Sequence, residues 1–247
     1  MKISIITIVY NNRETIADAI ASVLSQTYPD IEYIVVDGGS TDGTVEVVSA
    51  YKDRISVFIS EKDNGLYDAI NKGIGLATGD IVGLLHSDDL FESDETIAKI
   101  VTAFKQHGTE SVYGDLLYVR KEDTGSVVRN WVSGKFNRKD FLYGWMPPHP
   151  TFYVKREVYL RLGLYNTQFK SAADYELMLR YLYKYNVSTA YIAEKLVKMR
   201  VGGKSNVTIK NRIRANQEDH KAWLINDLQP LFLTRYLKPL RKLVQYF

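Results

Sequence analysis

The sequence predicts an α/β fold in which helices flank a mostly parallel central sheet and a basic, helical C-terminal extension follows. Over the first hundred residues, short apolar segments alternate with segments whose apolar residues recur every three or four positions. This alternation is typical of parallel sheets built from strand–helix–strand units. The composition of the 247 residues, 45% hydrophobic and 25% charged, is that of a folded globular protein.

The first half supplies the predicted sheet and its helices in turn. Residues Ile3–Val9 form a nearly continuous β-branched run, which is typical of a strand covered on both faces. The segment 14–24 then carries Ile16, Ile20 and Leu24 on one helical stripe, which predicts a helix. The remaining predicted elements are strands at 33–36, 56–59 and 81–85 and helices at 44–51, 66–77 and 95–107.

The second half shows a different pattern. Two short strands are predicted at 111–113 and 116–119, and loops rich in Gly, Trp and Pro follow them. A further helix is predicted at 173–183, where Leu177 and Tyr181 are spaced four apart. We find no internal repeat, so we expect one domain followed by an extension at 206–247.

Composition and charge exclude several classes of protein. The absence of cysteine excludes disulfide frameworks, thiolate metal sites and cysteine nucleophiles. We recognise no secretory signal and no membrane-spanning run, so we expect a cytoplasmic protein. The net charge of +3 combines an acidic body with a basic tail, because residues 195–247 carry 12 Lys and Arg against 3 Asp and Glu.

The basic tail also carries Trp, Leu, Tyr and Phe residues. This combination predicts an amphipathic helix that lies on an anionic membrane surface. Packing on the body, or on a second subunit in a homodimer, is the alternative. Nucleic acid is not an expected partner, because no nucleic-acid-binding motif accompanies the charge.

Polar loops follow three of the predicted strands, at 37–43, 61–65 and 86–89. Ligands of open α/β sheets bind beyond the carboxyl ends of the strands, so these loops form the expected site. Turns and helix caps account for any one loop, but the adjacent carboxylates of Asp88 and Asp89 repel each other unless a cation or donors offset them. A divalent ion shared with phosphate oxygens would do so. Neither a P-loop nor the Gly-rich dinucleotide fingerprint is present.

Four motifs stand in order within the first ninety residues. They are Ile5-Ile6-Thr7-Ile8-Val9-Tyr10-Asn11, Asp37-Gly38-Gly39-Ser40-Thr41-Asp42-Gly43-Thr44, Asp63-Asn64-Gly65-Leu66-Tyr67-Asp68-Ala69-Ile70-Asn71-Lys72-Gly73 and Ser87-Asp88-Asp89. As an ordered set they resemble the family 2 glycosyltransferases. The resemblance covers residues 1 to about 200 and implies the GT-A fold, a nucleotide-sugar donor and inversion at the anomeric carbon. It also implies a donor-binding half at 1–105 and an acceptor-binding half at 106–205.

The resemblance assigns roles to individual residues of the donor half. It places Thr7 and Tyr10 at the nucleoside and makes Asp37 a hydrogen-bond partner of the base. The predicted donor-binding residues are Thr7, Tyr10, Asn11, Asp37, Ser40, Asp68, Asn71, Asp88 and Arg200.

The metal site and the general base follow from the same resemblance. Ser87-Asp88-Asp89 stands where the family has its D-x-D motif, with serine at the first position. Asp89 would hold a divalent metal, Mn²⁺ or Mg²⁺, on the diphosphate, and Asp88 would face the ribose or assist at the metal. Asp174 aligns with the general base of the family, and the alternative is a helix N-cap.

Two later loops also resemble parts of these enzymes. The loop 145–150 is similar to the acceptor-side loop, so Trp145 is predicted to stack on a sugar and His149 to contact the acceptor or the leaving phosphate. Structural packing is the alternative for both. The loop 199–205 resembles the late loop that closes over the donor diphosphate, with Arg200 and Lys204 as its cations.

The sequence therefore predicts an inverting, metal-dependent glycosyltransferase at the inner face of a membrane, with UDP-sugar as donor and a lipid-linked glycan as acceptor. This is the type of enzyme that assembles bacterial surface polysaccharides such as O-antigen. One alternative is a sugar-phosphate nucleotidyltransferase, which usually has a Gly-rich basic loop where this chain has Tyr10-Asn11-Asn12-Arg13. The other is a non-catalytic nucleotide- or glycan-binding module, which would not need Asp174.

Overall fold

The computed structural model describes residues 1–202, 209–234 and 237. In chain order the strands and α-helices of these residues are β1 (Ile3–Val9), α1 (Ile16–Leu24), β2 (Ile31–Asp37), α2 (Thr44–Ser49), β3 (Val57–Ser60), α3 (Leu66–Leu76), β4 (Ile81–Leu84), β5 (Asp89–Phe91), α4 (Thr96–His107), β6 (Ser111–Val119), β7 (Val127–Trp131), β8 (Tyr153–Lys155), α5 (Arg156–Leu162), α6 (Ala173–Met178), β9 (Thr189–Arg200) and α7 (Ile209–Ile225). Short 3₁₀ turns lie at Lys52–Arg54, Arg138–Tyr143 and His149–Thr151, and a π-helical turn at Leu179–Lys184.

One sheet contains all of these strands, in the order β3-β2-β1-β4-β8-β6-β9-β5, with β7 paired to β6. The strands β1 to β4 pair in parallel, as the alternating pattern predicts. The second half adds antiparallel pairs, so the complete sheet is mixed. Because β8 pairs with both β4 and β6, the two predicted halves of the domain share this sheet.

The continuous apolar run of β1 is explained by a hydrophobic core on each face of the sheet. All seven residues of β1 are buried. Ile6 and Ile8 belong to the core that includes residues of α3 and α6, whereas Ile5 and Val9 belong to the core that includes residues of α1 and α4. Successive side chains of a strand point to opposite faces, so both faces of β1 must be apolar.

Two predicted element boundaries were wrong. The two strands predicted at 111–113 and 116–119 form the single strand β6. Gly114 interrupts the apolar pattern of this strand, because a side chain there would collide with Leu196: an added Cβ would lie 2.5 Å from Leu196 Cδ1. The helix predicted at 173–183 is an α-helix only as far as Met178. It continues as a π-helical turn, which the hydrogen bond from Tyr185 N–H to the Arg180 carbonyl closes.

Gly83 marks the place where β8 lies against β4. A Cβ on Gly83 would lie 2.1 Å from Tyr153 Cε1, and Tyr153 is fully buried. We therefore expect Gly83→Ala to destabilise the protein by about 1–3 kcal/mol through overpacking. Gly75→Ala is the matched control, because Gly75 lies in α3 with nothing within 4 Å of the added methyl group. It should stabilise the protein by about 0.5–1 kcal/mol. Urea unfolding measures both, and equal midpoints for the two variants would contradict this interpretation.

The described part of the C-terminal extension packs on the body of the protein. The helix α7 buries Ala222 and Trp223, and the Trp223 ring lies 5.0 Å from that of Tyr183 between centroids. The prediction of a membrane-facing side chain is therefore wrong for Trp223. Beyond α7, Leu231, Phe232 and Leu233 are exposed, at 46%, 79% and 55%. The predicted tail residues at 235–236 and 238–247 lie outside the described residues. No bilayer-spanning helix occurs within 1–202 or 209–234.

Candidate active site

The loops after β1 and β2 meet at the carboxyl edge of the sheet. The Asn11 backbone N–H donates to Ser40 Oγ at 2.8 Å, and Asn11 Oδ1 accepts from the Thr41 backbone N–H at 2.9 Å. Asn11 has a φ of 47°, in the left-handed region that Asn tolerates better than most residues. Asn11 and Ser40 thus join the two loops at the predicted nucleoside site.

Asp37 is fully buried and organises the loop after β2. Its carboxylate accepts from the backbone N–H groups of Gly39 at 3.0 Å and Ser40 at 2.9 Å. It also accepts from the hydroxyls of Ser40 and Ser60. These four hydrogen bonds offset the cost of burying a carboxylate. Asp37 therefore shapes the loop, and its contact with a base stays a prediction.

Thr7 and Tyr10 lie in opposite environments. Thr7 is fully buried in β1 and accepts a hydrogen bond from the Tyr33 hydroxyl at 3.1 Å. Its side chain therefore supports the site from beneath and is not at its surface, which corrects the predicted nucleoside contact. Tyr10 is 55% exposed beside Gly38, at the edge where an aromatic base could stack.

Asp68 and Asn71 lie on α3, and both have partners within the protein. Asp68 Oδ2 accepts from the Asn64 backbone N–H at 3.0 Å, which stabilises the start of the helix. Asn71 exchanges two hydrogen bonds with the backbone of Tyr165, at 2.8 and 3.0 Å. Asn71 thus braces the loop between α5 and α6, and a donor-lining role for either residue stays a prediction.

Asp89 is a buried carboxylate that lacks a partner. It is 1% exposed, and neither of its carboxylate oxygens has a hydrogen-bond partner in the described part of the chain. Burial, followed by the nearby charge of Asp88, raises the pKa of Asp89 well above its ordinary value, although the backbone N–H and the positive charge of Arg200 act in the opposite direction. An orphaned carboxylate beside a second one fits a hard divalent cation.

The donor set around Asp89 is small. Among the described residues, no three His, Asp or Glu side chains come together in a cluster that could hold a metal ion. Mg²⁺ is commonly held by one or two carboxylates together with substrate phosphates. Asp88 and Asp89 therefore fit a metal that a diphosphate would also ligate.

Arg200, at the end of β9, holds the segment that contains Asp88 and Asp89 through hydrogen bonds. Its guanidinium donates to the backbone carbonyls of Asp88 and Lys121, both at 3.1 Å, and pairs with the Asp18 carboxylate. Arg200 is 6% exposed. The side chain thus supports the Asp88–Asp89 loop, and its contact with a diphosphate stays a prediction. Lys204 lies outside the described residues.

Asp174 lies in the first turn of α6 and faces side chains from two other segments. The Tyr67 hydroxyl is 3.5 Å from its Oδ1, and His149 Nδ1 is 3.4 Å from its Oδ2. The Asp174 side chain is 20% exposed, so a substrate hydroxyl could reach it. The N-cap of α6 is Ala172, so the alternative role of Asp174 as an N-cap is wrong.

His149 connects Asp174 to the loop after β4. His149 Nε2 is 3.2 Å from His86 Nε2. Burial lowers the pKa of His149 to about 4, and burial together with the neighbouring His149 lowers the pKa of His86 to about 4. Both rings are therefore neutral at pH 7. When His149 Nδ1–H points to the Asp174 carboxylate, His86 must donate to the unprotonated Nε2 of His149.

Trp145 belongs to the aromatic core, which corrects the prediction of a sugar-stacking residue. It is 7% exposed, and its indole N–H donates to the Ser133 carbonyl at 2.9 Å. The rings of Tyr113, Phe136 and Phe141 surround it, with centroids 5.6–5.8 Å away. Trp145 is thus a packing anchor for the loop in which His149 faces the site.

Two side chains of the candidate site, His86 and Tyr67, are absent from the predicted site residues. Both adjoin recognised motifs, because His86 precedes Ser87 and Tyr67 precedes Asp68. The place of His86 directly after a buried strand is a signal that identifies such residues. No local signal marks Tyr67, because its partner Asp174 is 107 residues away.

Comparison with solved structures identifies the fold. TarS residues 1–349 of S. aureus, in complex with UDP-GlcNAc, align with a TM-score of 0.71 and 17% identity over 92% of this chain and 65% of that one. The mannosyltransferase PcManGT from Pyrobaculum calidifontis, in complex with GDP-Man and Mn²⁺, aligns with a TM-score of 0.68 and 21% identity over 98% and 69%. These similarities confirm the predicted GT-A fold.

Comparison with curated sequences identifies the family. An uncharacterized glycosyltransferase of Mycobacterium tuberculosis is 34% identical over 184 residues, which are 72% of this chain and 68% of that protein. The putative teichuronic acid biosynthesis glycosyltransferase TuaG of Bacillus subtilis is 41% identical over 96 residues, 38% of each chain. The family model for glycosyl transferase family 2 matches residues 4–163. This match and the fold show that the chain is an enzyme that belongs to glycosyltransferase family 2.

Proposed function

We propose that this glycosyltransferase moves a sugar from a nucleoside diphosphate, with UDP as the expected nucleotide, to a hydroxyl of a lipid-linked glycan. One observation carries the proposal. His149 lies between the loop of the metal candidates and the base candidate, because its Nε2 is 3.2 Å from Nε2 of His86 and its Nδ1 is 3.4 Å from the Asp174 carboxylate. Glycosyl transfer needs both a site for the diphosphate and a base for the acceptor hydroxyl. UDP-GlcNAc in TarS and GDP-Man in PcManGT support a nucleotide-sugar donor.

The proposed reaction is a single displacement with inversion. The acceptor oxygen forms a bond to the anomeric carbon, Asp174 takes its proton, and the bond to the diphosphate oxygen breaks with its electron pair on the diphosphate. A divalent metal held by Asp88 and Asp89 would neutralise charge on the leaving diphosphate. His149 and Tyr67 hold the Asp174 carboxylate on the acceptor side.

The two predicted halves divide these tasks. Residues 1–105 contribute the loops after β1, β2 and β4, which would bind the nucleotide diphosphate. Residues 106–205 contribute His149 and Asp174, which would receive the acceptor. The shared sheet supports this division, because β8 and β6 continue the edge that β4 begins.

Variants of His149 test how Asp174 is oriented. His149→Asn keeps an N–H donor near the position of Nδ1, whereas His149→Gln places its amide nearer the position of Nε2. We expect kcat to fall about 10-fold in His149→Gln, equivalent to about 1.4 kcal/mol, and less in His149→Asn. The acidic limb of the pH–rate profile should move to higher pH in His149→Gln, because the Asp174 carboxylate loses a donor to its charged form. Identical profiles for the two variants would contradict this role.

We also propose peripheral attachment to an anionic membrane through the extension. The exposed Leu231, Phe232 and Leu233 support it, as do the basic residues that follow them in the sequence. Replacing these three residues by serine should reduce sedimentation with liposomes that contain anionic lipid by about 10-fold or more. Leu160→Ser is the control, because Leu160 is 70% exposed on α5. Unchanged sedimentation of the triple variant would exclude this surface as the membrane contact.

Calorimetric titration tests the proposed donor class. UDP, GDP, dTDP and CMP are titrated with and without Mn²⁺, and release of the nucleotide from the matching sugar donor is then followed. We expect metal-dependent binding of one diphosphate, with UDP preferred. Binding without turnover in the presence of a lipid-linked acceptor would favour a binding module. Release of pyrophosphate from a nucleoside triphosphate and a sugar phosphate would favour a nucleotidyltransferase.

A further inference from the structure

A carboxylate from α7 holds the segment that leads into α6. Glu218 accepts hydrogen bonds from three consecutive backbone N–H groups, those of Lys170 at 3.1 Å, Ser171 at 2.8 Å and Ala172 at 3.0 Å. These residues directly precede α6, whose second residue is Asp174. No local sequence pattern marks Glu218, because its contacts lie 46 to 48 residues away along the chain.

The segment before Asp174 has no side-chain acceptor of its own for the backbone N–H groups at the start of α6. The N-cap of α6, Ala172, has no side-chain oxygen, and α6 is only six residues long. A helix of this length is held by tertiary contacts rather than by its own hydrogen bonds. From α3, the Tyr67 hydroxyl lies 3.5 Å from Asp174 Oδ1. The three backbone N–H groups that lead into α6 therefore have their acceptor on α7.

Two more contacts from α7 hold the residues that follow Asp174. The Trp223 indole N–H donates to the Tyr175 hydroxyl at 2.9 Å. Asn226 Nδ2 donates to Glu176 Oε1 at 3.0 Å. All four of these residues are buried. The position of α6 is thus set by α7 on both sides of the Asp174 backbone.

We propose that Glu218 is a positioning residue for the transfer reaction, because its carboxylate fixes the backbone that carries Asp174 against the acceptor hydroxyl. The proposal rests on the proposed function of Asp174 as the general base. A displacement of about 1 Å in a catalytic group can lower the rate 10²-fold. The described part of the C-terminal extension then has a role in catalysis that is separate from any contact with a membrane.

Glu218→Gln tests the proposal, because the amide has nearly the shape of the carboxylate but lacks its charge, keeps only one acceptor oxygen and turns an N–H donor toward the N–H groups of 170–172. We expect kcat to fall 10- to 100-fold, while the donor KM and the affinity for its nucleotide stay within about 2-fold. The backbone amides of 170–174 should exchange with deuterium faster than in the wild type. Turnover is read as nucleotide release from whichever of UDP-GlcNAc, UDP-glucose, UDP-galactose and GDP-mannose the wild type uses.

Two further variants complete the test. Gln217→Ala, an exposed neighbour on α7, should behave as wild type. Glu218→Asp keeps the charge on a shorter side chain and should show an intermediate kcat. A wild-type kcat in Glu218→Gln and Glu218→Asp, or a loss of donor affinity as large as the loss of kcat, would overturn the positioning role. Failure of the wild type itself to turn over any donor would instead show that the proposed function is wrong, and the positioning role with it.

Discussion

Asp89→Asn should make the metal-free protein more stable and at the same time abolish metal-dependent nucleotide binding. The Asp89 carboxylate is buried without a hydrogen-bond partner among the described residues, and its pKa is raised well above the ordinary value. At pH 7 the folded protein must therefore keep an unpaired charge buried or bind a proton that the unfolded chain does not. Asparagine leaves a polar amide at this position but removes the charge and the uptake of a proton, and we expect a net gain in stability of about 1–3 kcal/mol, because a buried charge costs more than a buried neutral group.

The difference in stability between the wild type and Asp89→Asn should change with pH in a defined direction. A group whose pKa is higher in the folded state contributes stability below its unfolded pKa, about 4 for Asp, and loses it as pH rises. Below pH 4 the carboxyl is protonated in both states, so wild type and Asp89→Asn should have similar stability. The advantage of the variant should grow as the pH rises from 4 to 7.

Urea unfolding with and without Mn²⁺ measures both parts of this prediction. Mn²⁺ together with the nucleotide that binds should raise the unfolding midpoint of the wild type and leave that of Asp89→Asn unchanged. Asp30→Asn is the control, because Asp30 is exposed and the change in charge is the same. A less stable metal-free variant, or one that binds Mn²⁺ and nucleotide like the wild type, would refute the assignment of Asp89 to the metal.

The strands and helices of the first half could be predicted because the spacing of apolar residues within each segment is typical of its secondary structure. The run Ile3–Val9 is apolar at every position since both faces of β1 are covered, and the helical stripe over 14–24 buries Ile16 and Ile20. The polar loops that follow these strands are local features as well. The carboxyl edge of the sheet, with Asp37 and Asp89 on it, therefore follows from patterns a few residues long.

The second half depends on contacts that are distant in sequence. The strand β8 is only three residues long, and its place in the sheet comes from pairing with Val82 of β4 and Val112 of β6. A short apolar run that contains Tyr153 does not show where it pairs. The same limit explains why a mostly parallel sheet was predicted and a mixed one is found.

The loop 145–150 shows that site residues, like strand pairing, depend on contacts that are distant in sequence. Trp145 and His149 are four residues apart, and both were predicted to face the substrate. Trp145 turns into the core because Tyr113 and Phe141 surround it, whereas His149 faces Asp174. Which side chain of such a loop reaches a substrate is decided by partners that no local pattern contains.

Asp174→Asn should lower the rate of sugar transfer by about 10²- to 10⁴-fold and leave nucleotide binding unchanged. The carboxylate lies 3.4 Å from His149 Nδ1 and 3.5 Å from the Tyr67 hydroxyl, and it is partly exposed. The amide of asparagine keeps the size of the side chain but cannot take the proton of the acceptor hydroxyl, so the whole contribution of general base catalysis is lost. The diphosphate site is formed by other residues, so its affinity should not change.

The measurement compares single-turnover transfer with calorimetric binding of the nucleotide and Mn²⁺. Asp227→Asn serves as the control, because the Asp227 side chain is 92% exposed. Like Asp174→Asn, this substitution removes one negative charge. Transfer at more than a tenth of the wild-type rate in Asp174→Asn would exclude this residue as the base. A loss of nucleotide binding in the same variant would place Asp174 at the donor rather than at the acceptor. Intact binding together with lost transfer would exclude Asp174 as a metal ligand, because the loss of a ligand would also weaken binding of the nucleotide with Mn²⁺.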